Sequence, residues 1–268
     1  MNILTSVILV SFKSNKIIEN AIKAIGDDNL IFIVENSKNY DLKILEKKYS
    51  NLKVIINENN GFGNAANIAA NLANTKNLLF LSPDTIVEEN ALYKIHKIAK
   101  NFQDDFGLLI PNDIKNKPNK TSLLQKPIGA PLIFVNRNKF LKIGGFDENF
   151  FLYYEDIDLQ LRFLKANEKI FKIEVYFQHL YGSHDKKFNH EIEINRNWHY
   201  MWSRFYFIKK NNSYFYALIS TLPTFLRALT KLIYYYFKKN DKHFIYKGRF
   251  LGLINAYLKK KSWYRPNI

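Results

Sequence analysis

The chain has 268 residues, of which 47% are hydrophobic and 16% aromatic, so it can bury a sizeable core and is not a disordered polypeptide. It contains no cysteine, which excludes a disulfide framework, a cysteine-ligated metal site and a cysteine nucleophile. No basic segment precedes the first apolar run, and we therefore expect no secretory signal.

The net charge of +16 is concentrated at the C-terminal end. From Met201 onward, 14 lysines and arginines accompany one acid, Asp241, and this segment also holds 18 of the 42 aromatic residues. The first 200 residues carry 26 basic and 23 acidic side chains. The C-terminal segment is thus expected to contact an anionic and partly apolar partner, for which nucleic acid and anionic lipid are the two candidates.

Short apolar runs alternate with helical patterns over the first 100 residues, the runs being 6–10, 30–34, 52–56 and 78–81. This alternation predicts an open α/β domain whose mainly parallel sheet is covered on both faces. Ligands of such sheets bind beyond the carboxyl ends of the strands. The segments that follow the predicted strands are therefore candidate binding segments: 11–14, 35–37, 57–67 and 82–85.

The remainder of the chain changes character twice. Residues 111–126 are polar and lysine-rich and predict a surface loop, after which residues 130–135 read as a strand and residues 170–177 form an apolar run. From about Glu191 the pattern is helical and aromatic to the end. We predict one α/β domain over residues 1–200 and a helical extension over residues 201–268.

A glycine motif, Asn60-Gly61-Phe62-Gly63-Asn64-Ala65-Ala66, opens a helix after the third predicted strand. It satisfies the G-x-G-x-x-A pattern of dinucleotide-binding folds, although it lies in the third strand–helix unit and not the first. The small residues could alternatively serve close packing alone. In a third interpretation, the helix start lets backbone N–H groups approach a nucleotide diphosphate.

Asp84, in Ser82-Pro83-Asp84-Thr85, lies at the tip of an apolar strand. It could cap a helix starting at Ile86, or it could hold Mg²⁺ or Mn²⁺, which need few protein ligands when a diphosphate supplies the others.

The most informative stretch is 144–159, GGFDENFFLYYEDIDL, where five carboxylates alternate with aromatic residues. Acids in so apolar a run are expected to be buried in part, which raises the carboxylate pKa and suits a general base. Asp147 and Asp158 could instead favour a helix dipole. After Asp156 the spacing fits a strand or a helix equally well.

Taken together, these motifs resemble those of the family 2 glycosyltransferases, and most closely those of the rhamnosyltransferase-like branch that builds bacterial surface polysaccharides. The resemblance covers about residues 6–184 and depends mainly on FFLYYEDIDL together with the upstream SPDT. It implies a GT-A fold, nucleotide-diphospho-sugar donors (dTDP- or UDP-linked) and an inverting single-displacement transfer to an acceptor hydroxyl. It makes a helix the better prediction after Asp156.

The resemblance also implies roles for individual residues. Asp156 would be the catalytic base with Glu155 beside it, and Asp84 with His179 would hold a divalent cation, Mg²⁺ or Mn²⁺. Glu35 would contact the base or ribose of the donor. The other expected donor-binding residues are Ser11, Asn60, Gly61, Gly63, Asn67 and Arg162. Family members usually carry Asp at position 35, Asp or Asn at position 82 and Ser at position 184, where this chain has Glu35, Ser82 and His184.

Residues 213–237 have the length of a membrane span, but Pro223, Arg227 and Lys231 interrupt them. Charges near the middle of a span cost about 3 kcal/mol each, so amphipathic helices in the membrane plane are favoured over a span. The bland alternative is an aromatic helical pair packed on the catalytic domain. We expect a cytoplasmic protein, peripheral at the inner face of the membrane, with a glycan or lipid-linked acceptor and no nucleic acid partner. Alternative functions are a nucleic-acid-binding protein, a dinucleotide-dependent oxidoreductase and a non-catalytic sugar-binding homologue.

Overall fold

The computed structural model describes residues 5–88, 90–103, 105–113, 120–179 and 190–265. Two compact units divide the chain: the first comprises Met1–Asp147 and Asp156–Asp185, and the second Glu148–Glu155 and Lys186–Ile268. The boundary predicted at residue 200 falls inside the helix His190–Asn211, which belongs as a whole to the second unit because it is one continuous α-helix.

Strands and helices alternate in the first unit as the apolar runs predict. Its strands are β1 (Thr5–Ser11), β2 (Leu30–Glu35), β3 (Leu52–Ile56), β4 (Asn77–Leu81), β5 (Thr85–Val87), β6 (Leu108–Asp113), β7 (Ser122–Leu123), β8 (Leu132–Asn136) and β9 (Ile170–His179). Its helices are α1 (Asn15–Ile25), α2 (Leu45–Lys48), α3 (Phe62–Leu72), α4 (Ala91–Asn101), α5 (Arg137–Lys142) and α6 (Glu155–Lys165), whose first residue falls in the second unit.

Two predictions about these elements need correction. Residues 111–126 are not simply a loop, since β6 runs to Asp113 and β7 lies at Ser122–Leu123, while residues 114–119 lie outside the described part. No helix starts at Ile86, because Thr85–Val87 is a strand, and Asp84 therefore does not cap one. The helix predicted after Asp156 is confirmed by α6.

The sheet has the strand order β3-β2-β1-β4-β8-β6-β9-β5, with β7 paired to β9. The first four strands in this order are parallel, as predicted. The other half is mixed, because β8 runs antiparallel to both β4 and β6 whereas β6 and β9 are parallel. The parallel half brings the carboxyl ends of β1, β2, β3 and β4 to one edge.

Alternate residues of the strands pack into two separate cores, which confirms that both faces of the sheet are covered. Val7 and Leu9 of β1 belong to the core that also contains α1 and α4 side chains. Ile8 points the other way, into a core formed with the alanines of α3 and with Phe163 of α6. The two-residue side-chain period of a strand produces this division.

Three helices, α7 (His190–Asn211), α8 (Tyr214–Phe237) and α9 (Lys242–Tyr257), form most of the second unit. Helices α7 and α9 approach closely at two glycines: a Cβ on Gly248 would lie 2.5 Å from the carbonyl oxygen of Ile194, and one on Gly252 would overlap that of Trp198. Pro223 lies inside α8 and does not end it. Among the described helices, none combines the length and apolar character needed to cross a membrane.

The segment Glu148–Glu155 also belongs to this unit. Its Tyr153 and Tyr154 have φ angles of 69° and 71°, a left-handed conformation that is unfavourable for bulky side chains. Both rings contact Tyr200 of α7, and the Tyr153 hydroxyl accepts a hydrogen bond from Arg196 Nε at 3.1 Å. These contacts hold the strained turn that leads into α6.

Candidate active site

Ser11 and Glu35 lie side by side at the carboxyl ends of β1 and β2, where they are register partners. Both are fully buried. One carboxylate oxygen of Glu35, Oε1, accepts hydrogen bonds from the backbone N–H of Ser37 at 2.6 Å and from the Ser37 hydroxyl. Among the described residues, Glu35 Oε2 and Ser11 Oγ have no hydrogen-bond partner. Buried polar atoms of this kind are rare and call for an explanation.

Asparagines connect this edge to the start of α3. Asn57, directly after β3, donates through Nδ2 to Asn36 Oδ1 at 3.0 Å, and its backbone N–H donates to the Glu35 carbonyl at 3.0 Å. Asn36 Nδ2 reaches the Gly61 carbonyl at 3.5 Å. The ends of β2 and β3 and the glycine motif are thereby joined, although Asn60 itself is exposed.

Glycine stands at positions 61 and 63 of the motif for two different physical reasons. Gly61 has φ 102° and ψ 174°, a conformation that residues with a side chain rarely adopt, and no side chain caps the first turn of α3 behind it. Gly63 is buried, and a Cβ there would lie 3.0 Å from Cβ of Phe146. Close packing therefore accounts for Gly63, whereas Gly61 sets the direction in which the chain enters the helix.

Asn67 holds the Gly144-Gly145-Phe146 turn to α3. Its Nδ2 donates to the Phe146 carbonyl, its Oδ1 accepts from the Phe146 N–H, and both distances are 2.9 Å. Gly145 has φ 63°, and a Cβ there would lie 2.5 Å from Asn67 Oδ1. This paired contact is a structural role, and donor binding by Asn67 stays a prediction.

Arg162 holds the same turn from α6. Its Nη1 and Nη2 donate to the carbonyls of Ile143 at 2.8 Å and Gly145 at 2.6 Å, and its Nε donates to Asp158 Oδ2 at 2.8 Å. Asp158 is 1% exposed and is therefore the buried partner of an i,i+4 ion pair, not a solvated acid at the helix terminus. Donor binding by Arg162 stays a prediction, and its guanidinium already makes these three bonds within the protein.

Asp156, the second residue of α6, is partly exposed and accepts a hydrogen bond at Oδ2 from the backbone N–H of Ala130 at 2.8 Å. Burial of the carboxylate raises its pKa, because a low-dielectric surrounding disfavours the charged form, and the Ala130 N–H partly offsets this rise. The carboxylates of the aromatic stretch thus differ in environment, since Glu148 is exposed and Asp158 is buried in an ion pair.

Gln160 lies one turn after Asp156 on α6 and is fully buried. Its Oε1 accepts from the Ile128 N–H at 3.0 Å, and its Nε2 donates to the Ile128 carbonyl at 2.6 Å and to the Asp156 carbonyl at 3.1 Å. Gln160 was not among the site residues predicted from the sequence. Its i,i+4 spacing from Asp156 was the available signal, since residues four apart on a helix are neighbours.

Asp84 follows β4 and is 9% exposed. The Ser82 hydroxyl donates to Asp84 Oδ1 at 2.5 Å, so Ser82 orients the single carboxylate of this motif. Thr85, the next residue, is the register partner of His179, the last residue of β9, so the backbone brings both predicted metal ligands to the same region. His184 lies outside the described residues.

Asp84 fits a divalent cation in one respect, since it is an oriented carboxylate at a strand end. In the described part of the chain, no group of three or more histidine, aspartate or glutamate side chains is arranged to hold a metal ion. Any cation bound here would therefore take most of its ligands from outside this set, as the diphosphate of a donor can supply.

Solved structures share this architecture. The mannosyltransferase PcManGT from Pyrobaculum calidifontis, in complex with GDP-Man and Mn²⁺, is similar with a TM-score of 0.62 at 12% identity, covering 97% of this chain and 89% of its own. GalNAc-T7, crystallised with UDP, GalNAc and Mn²⁺, is similar with a TM-score of 0.55 at 14% identity over 67% of this chain, which spans only 44% of GalNAc-T7. The fold is the GT-A fold of glycosyltransferases.

Sequence similarity gives the family. Residues 6–162, more than half of the chain, match Glycosyl transferase family 2, and the protein belongs to that family. It is 25% identical to Rhamnosyltransferase WbbL of Escherichia coli (strain K12) over 211 residues, which cover 64% of this chain and 80% of WbbL. These matches support the rhamnosyltransferase-like branch of the family.

Proposed function

We propose that the protein is an inverting glycosyltransferase that moves a sugar from a nucleotide-diphosphate donor to an acceptor hydroxyl, with Asp156 as the catalytic base. The observation that carries the proposal is the state of Asp156: a partly exposed carboxylate, held by the Ala130 N–H, whose pKa is raised by burial. A base of raised pKa is better matched to removing a proton near neutral pH than an ordinary aspartate.

The proposed reaction is a single displacement. The acceptor oxygen attacks the anomeric carbon of the sugar while its proton passes to the Asp156 carboxylate. The bond between that carbon and the diphosphate oxygen breaks, the nucleoside diphosphate leaves with the electron pair, and the configuration at the carbon inverts. Base catalysis of this kind contributes about 10²–10⁴-fold.

The donor is proposed to bind at the carboxyl ends of β1 and β2. A ribose hydroxyl could donate to Glu35 Oε2, the buried oxygen that lacks a partner among the described residues. That oxygen is shielded from solvent in this conformation, so the proposal requires the turn at Ser37 to move on binding. We propose a dTDP- or UDP-linked deoxyhexose, with rhamnose first, because WbbL is named a rhamnosyltransferase.

Asp84 and His179 are the residues proposed to hold Mg²⁺ or Mn²⁺. A bound cation would offset the negative charge that grows on the departing diphosphate. The structures of PcManGT and GalNAc-T7 are complexes with Mn²⁺, which makes Mn²⁺ the first cation to test. The backbone N–H groups at the start of α3 are proposed to contribute in the same sense, since a helix N-terminus favours anions.

The test of this function is transfer from a panel of dTDP-, UDP- and GDP-linked sugars to lipid-linked acceptors, with wild-type protein and Asp156→Asn in parallel. We expect nucleotide release and product with at least one donor, and an inverted anomeric linkage by NMR. A non-catalytic sugar-binding homologue would instead show donor-induced thermal stabilisation without transfer from any donor.

We further propose that the second unit docks on an anionic membrane surface, where a glycan acceptor carried on lipid would be found. Large apolar side chains are exposed along α8 at spacings of three, four and seven residues, which place them on one face of the helix. This apolar stripe comprises Phe215, Ile219, Leu222, Leu226, Ile233 and Phe237. The basic residues of the same segment complement anionic lipid, and we propose attachment at the cytoplasmic face of the membrane.

Flotation with vesicles tests the attachment. The full chain should bind vesicles rich in phosphatidylglycerol, bind phosphatidylcholine vesicles weakly, and be released in part by about 0.5 M salt, where charge attraction is screened. Equal binding to both lipids would contradict the charge argument. Truncation at residue 200 is not a suitable variant, because it would cut α7 in the middle.

A further inference from the structure

Residues 127–131, Pro-Ile-Gly-Ala-Pro, contact both the proposed base Asp156 and the motif that contains Asp84. These residues are called the bridging segment below. Ala130 donates its N–H to Asp156 on one side, and the carbonyl of Pro131 accepts the backbone N–H of Ser82 at 3.2 Å on the other. Ser82 in turn orients Asp84. The segment therefore joins the proposed base to the proposed cation motif.

The bridging segment has no regular secondary structure and no ionisable side chain of its own. Gln160 bonds both the N–H and the carbonyl of Ile128, as a neighbouring strand would. The third bond of Gln160, to the Asp156 carbonyl, ties this contact to the first turn of α6. The buried Gln160 side chain thus fixes Ile128 relative to the first turn of α6. Ala130, which bonds Asp156, lies two residues after Ile128.

We infer that Gln160 is a positioning residue for catalysis: by fixing the bridging segment, it keeps the Ala130 N–H on the carboxylate of Asp156 and so sets the orientation and basicity of the proposed base. This inference rests on the proposed role of Asp156. It goes beyond that role because Gln160 has no substrate contact in the mechanism and acts only through Ala130.

Burial and backbone hydrogen bonds are the causes that shift the pKa of Asp156. On α6, Asp158 is paired with Arg162, and Glu155 directly precedes Asp156. The hydrogen bond from Ala130 favours the charged form of Asp156 and opposes the effect of burial. Loss of this bond should therefore raise the pKa of Asp156.

Two variants disrupt the hydrogen bond from the Ala130 N–H to the Asp156 carboxylate, one indirectly and one directly. Gln160→Met keeps the length and apolar volume of the side chain but cannot hold Ile128, and Ala130→Pro deletes the donor N–H itself. In both, the acidic limb of the kcat–pH profile should move up by about one pH unit, as expected for loss of a hydrogen bond to a carboxylate. On the acidic side of this limb kcat should fall about tenfold, and on the plateau above it kcat should change little. The donor KM should stay within about threefold throughout, because no donor contact is proposed for Gln160.

Asn51→Leu is the matched control. The Asn51 amide also bonds two main-chain carbonyls, of Gly26 at 3.2 Å and Asn29 at 2.6 Å, but at the opposite, amino-terminal edge of the sheet. It should lower the melting temperature and leave the pH profile unchanged. The double variant Ala130→Pro/Gln160→Met should be no worse in kcat than Ala130→Pro alone, because both changes remove one interaction.

The outcomes separate this inference from the proposed function. If Asp156→Asn abolishes turnover but Ala130→Pro and Gln160→Met keep the wild-type pH profile, Gln160 is a structural residue only and the inference is wrong. If Asp156→Asn itself turns over normally, the proposed base is wrong. Should Gln160→Met not fold, Ala130→Pro decides, because it leaves the Gln160 amide and its contacts with Ile128 in place.

Discussion

The two units of the molecule use buried polar groups for different purposes. In the first, Glu35, Asp156 and Gln160 collect at strand ends and at the start of α6, where they bond to backbone segments. In the second, the buried His199 bonds to Ser262 and to the Tyr264 carbonyl of its own unit, and large apolar side chains are exposed along α8. If both proposals hold, mutations should separate catalysis from membrane attachment.

The largest expected effect comes from Asp156. Asp156→Asn should lower kcat by about 10²–10⁴-fold, because the amide keeps the size of the side chain but cannot accept the proton, while donor affinity stays within a few-fold. Steady-state transfer rates and donor titrations by calorimetry measure the two quantities. Vesicle binding should be unchanged if the units act separately.

Asp158→Asn is the companion variant. It breaks the buried ion pair with Arg162, so it should lower the free energy of unfolding by about 3–5 kcal/mol. It should lower turnover per folded molecule by much less than Asp156→Asn does. A dead but stable Asp158→Asn protein, with an active Asp156→Asn protein, would reassign the base to Asp158. Activity in both variants would remove the base from this stretch.

Asp84 tests whether the cation belongs to the first unit. Asp84→Asn should reduce donor affinity in Mn²⁺ by at least about tenfold, by analogy with the 10–100-fold effects seen when groups around a metal are removed. In EDTA, wild type and variant should bind the donor with the same weak affinity. Calorimetry provides both numbers. If EDTA has no effect on the wild-type protein, the proposed cation role of Asp84 fails.

The apolar stripe of α8 tests whether membrane attachment belongs to the second unit. Phe215 and Ile219 are 74% and 73% exposed, so their replacement by serine should leave the fold intact and weaken vesicle binding by about tenfold or more, given about 25 cal/mol per Å² of apolar surface. Tyr40→Ser/Ile44→Ser is the matched control in the first unit, where these residues are 65% and 67% exposed. Equal losses in both double variants would show nonspecific adhesion instead of a docking face.

The strands of the parallel half could be predicted from sequence because each is a short, mainly apolar run, and β1, β2 and β4 are buried nearly throughout. The short strand β5 could not be, since Thr85–Val87 is held by pairing with β9, some 90 residues away. The same limit explains β6, whose Pro111 reads as a loop signal but is accommodated beside β9 where the register shifts. Long-range pairing overrides local composition at these places.

The residues of the site divide in the same way, into those that local sequence predicts and those whose contacts depend on the folded chain. The strand-end position of Ser11, Glu35 and Asp84 followed from the apolar periodicity. The resemblance suggested Asn67, and the negative charge of the departing diphosphate suggested Arg162. Both of these bond the turn 143–146, which only the folded chain brings near them. Gln160 had no motif to mark it, because its partner is the backbone of a distant segment and not a particular side chain.

The smallest expected effect is a pH dependence of stability in the second unit. His199 is fully buried, with Nε2 2.9 Å from the Tyr264 carbonyl, so Nε2 carries the proton and Nδ1, 3.0 Å from Ser262 Oγ, accepts. Burial lowers its pKa from 6.5 to about 3, so the unfolded chain binds a proton first as pH falls. Its contribution is complete above pH 6.5 and is lost progressively towards pH 3, by about 2 kcal/mol at pH 5. His199→Gln preserves a donor and an acceptor but does not titrate, so circular-dichroism melts should show a smaller loss of stability from pH 7 to pH 5 than in the wild type; equal losses would assign the acid sensitivity to another group.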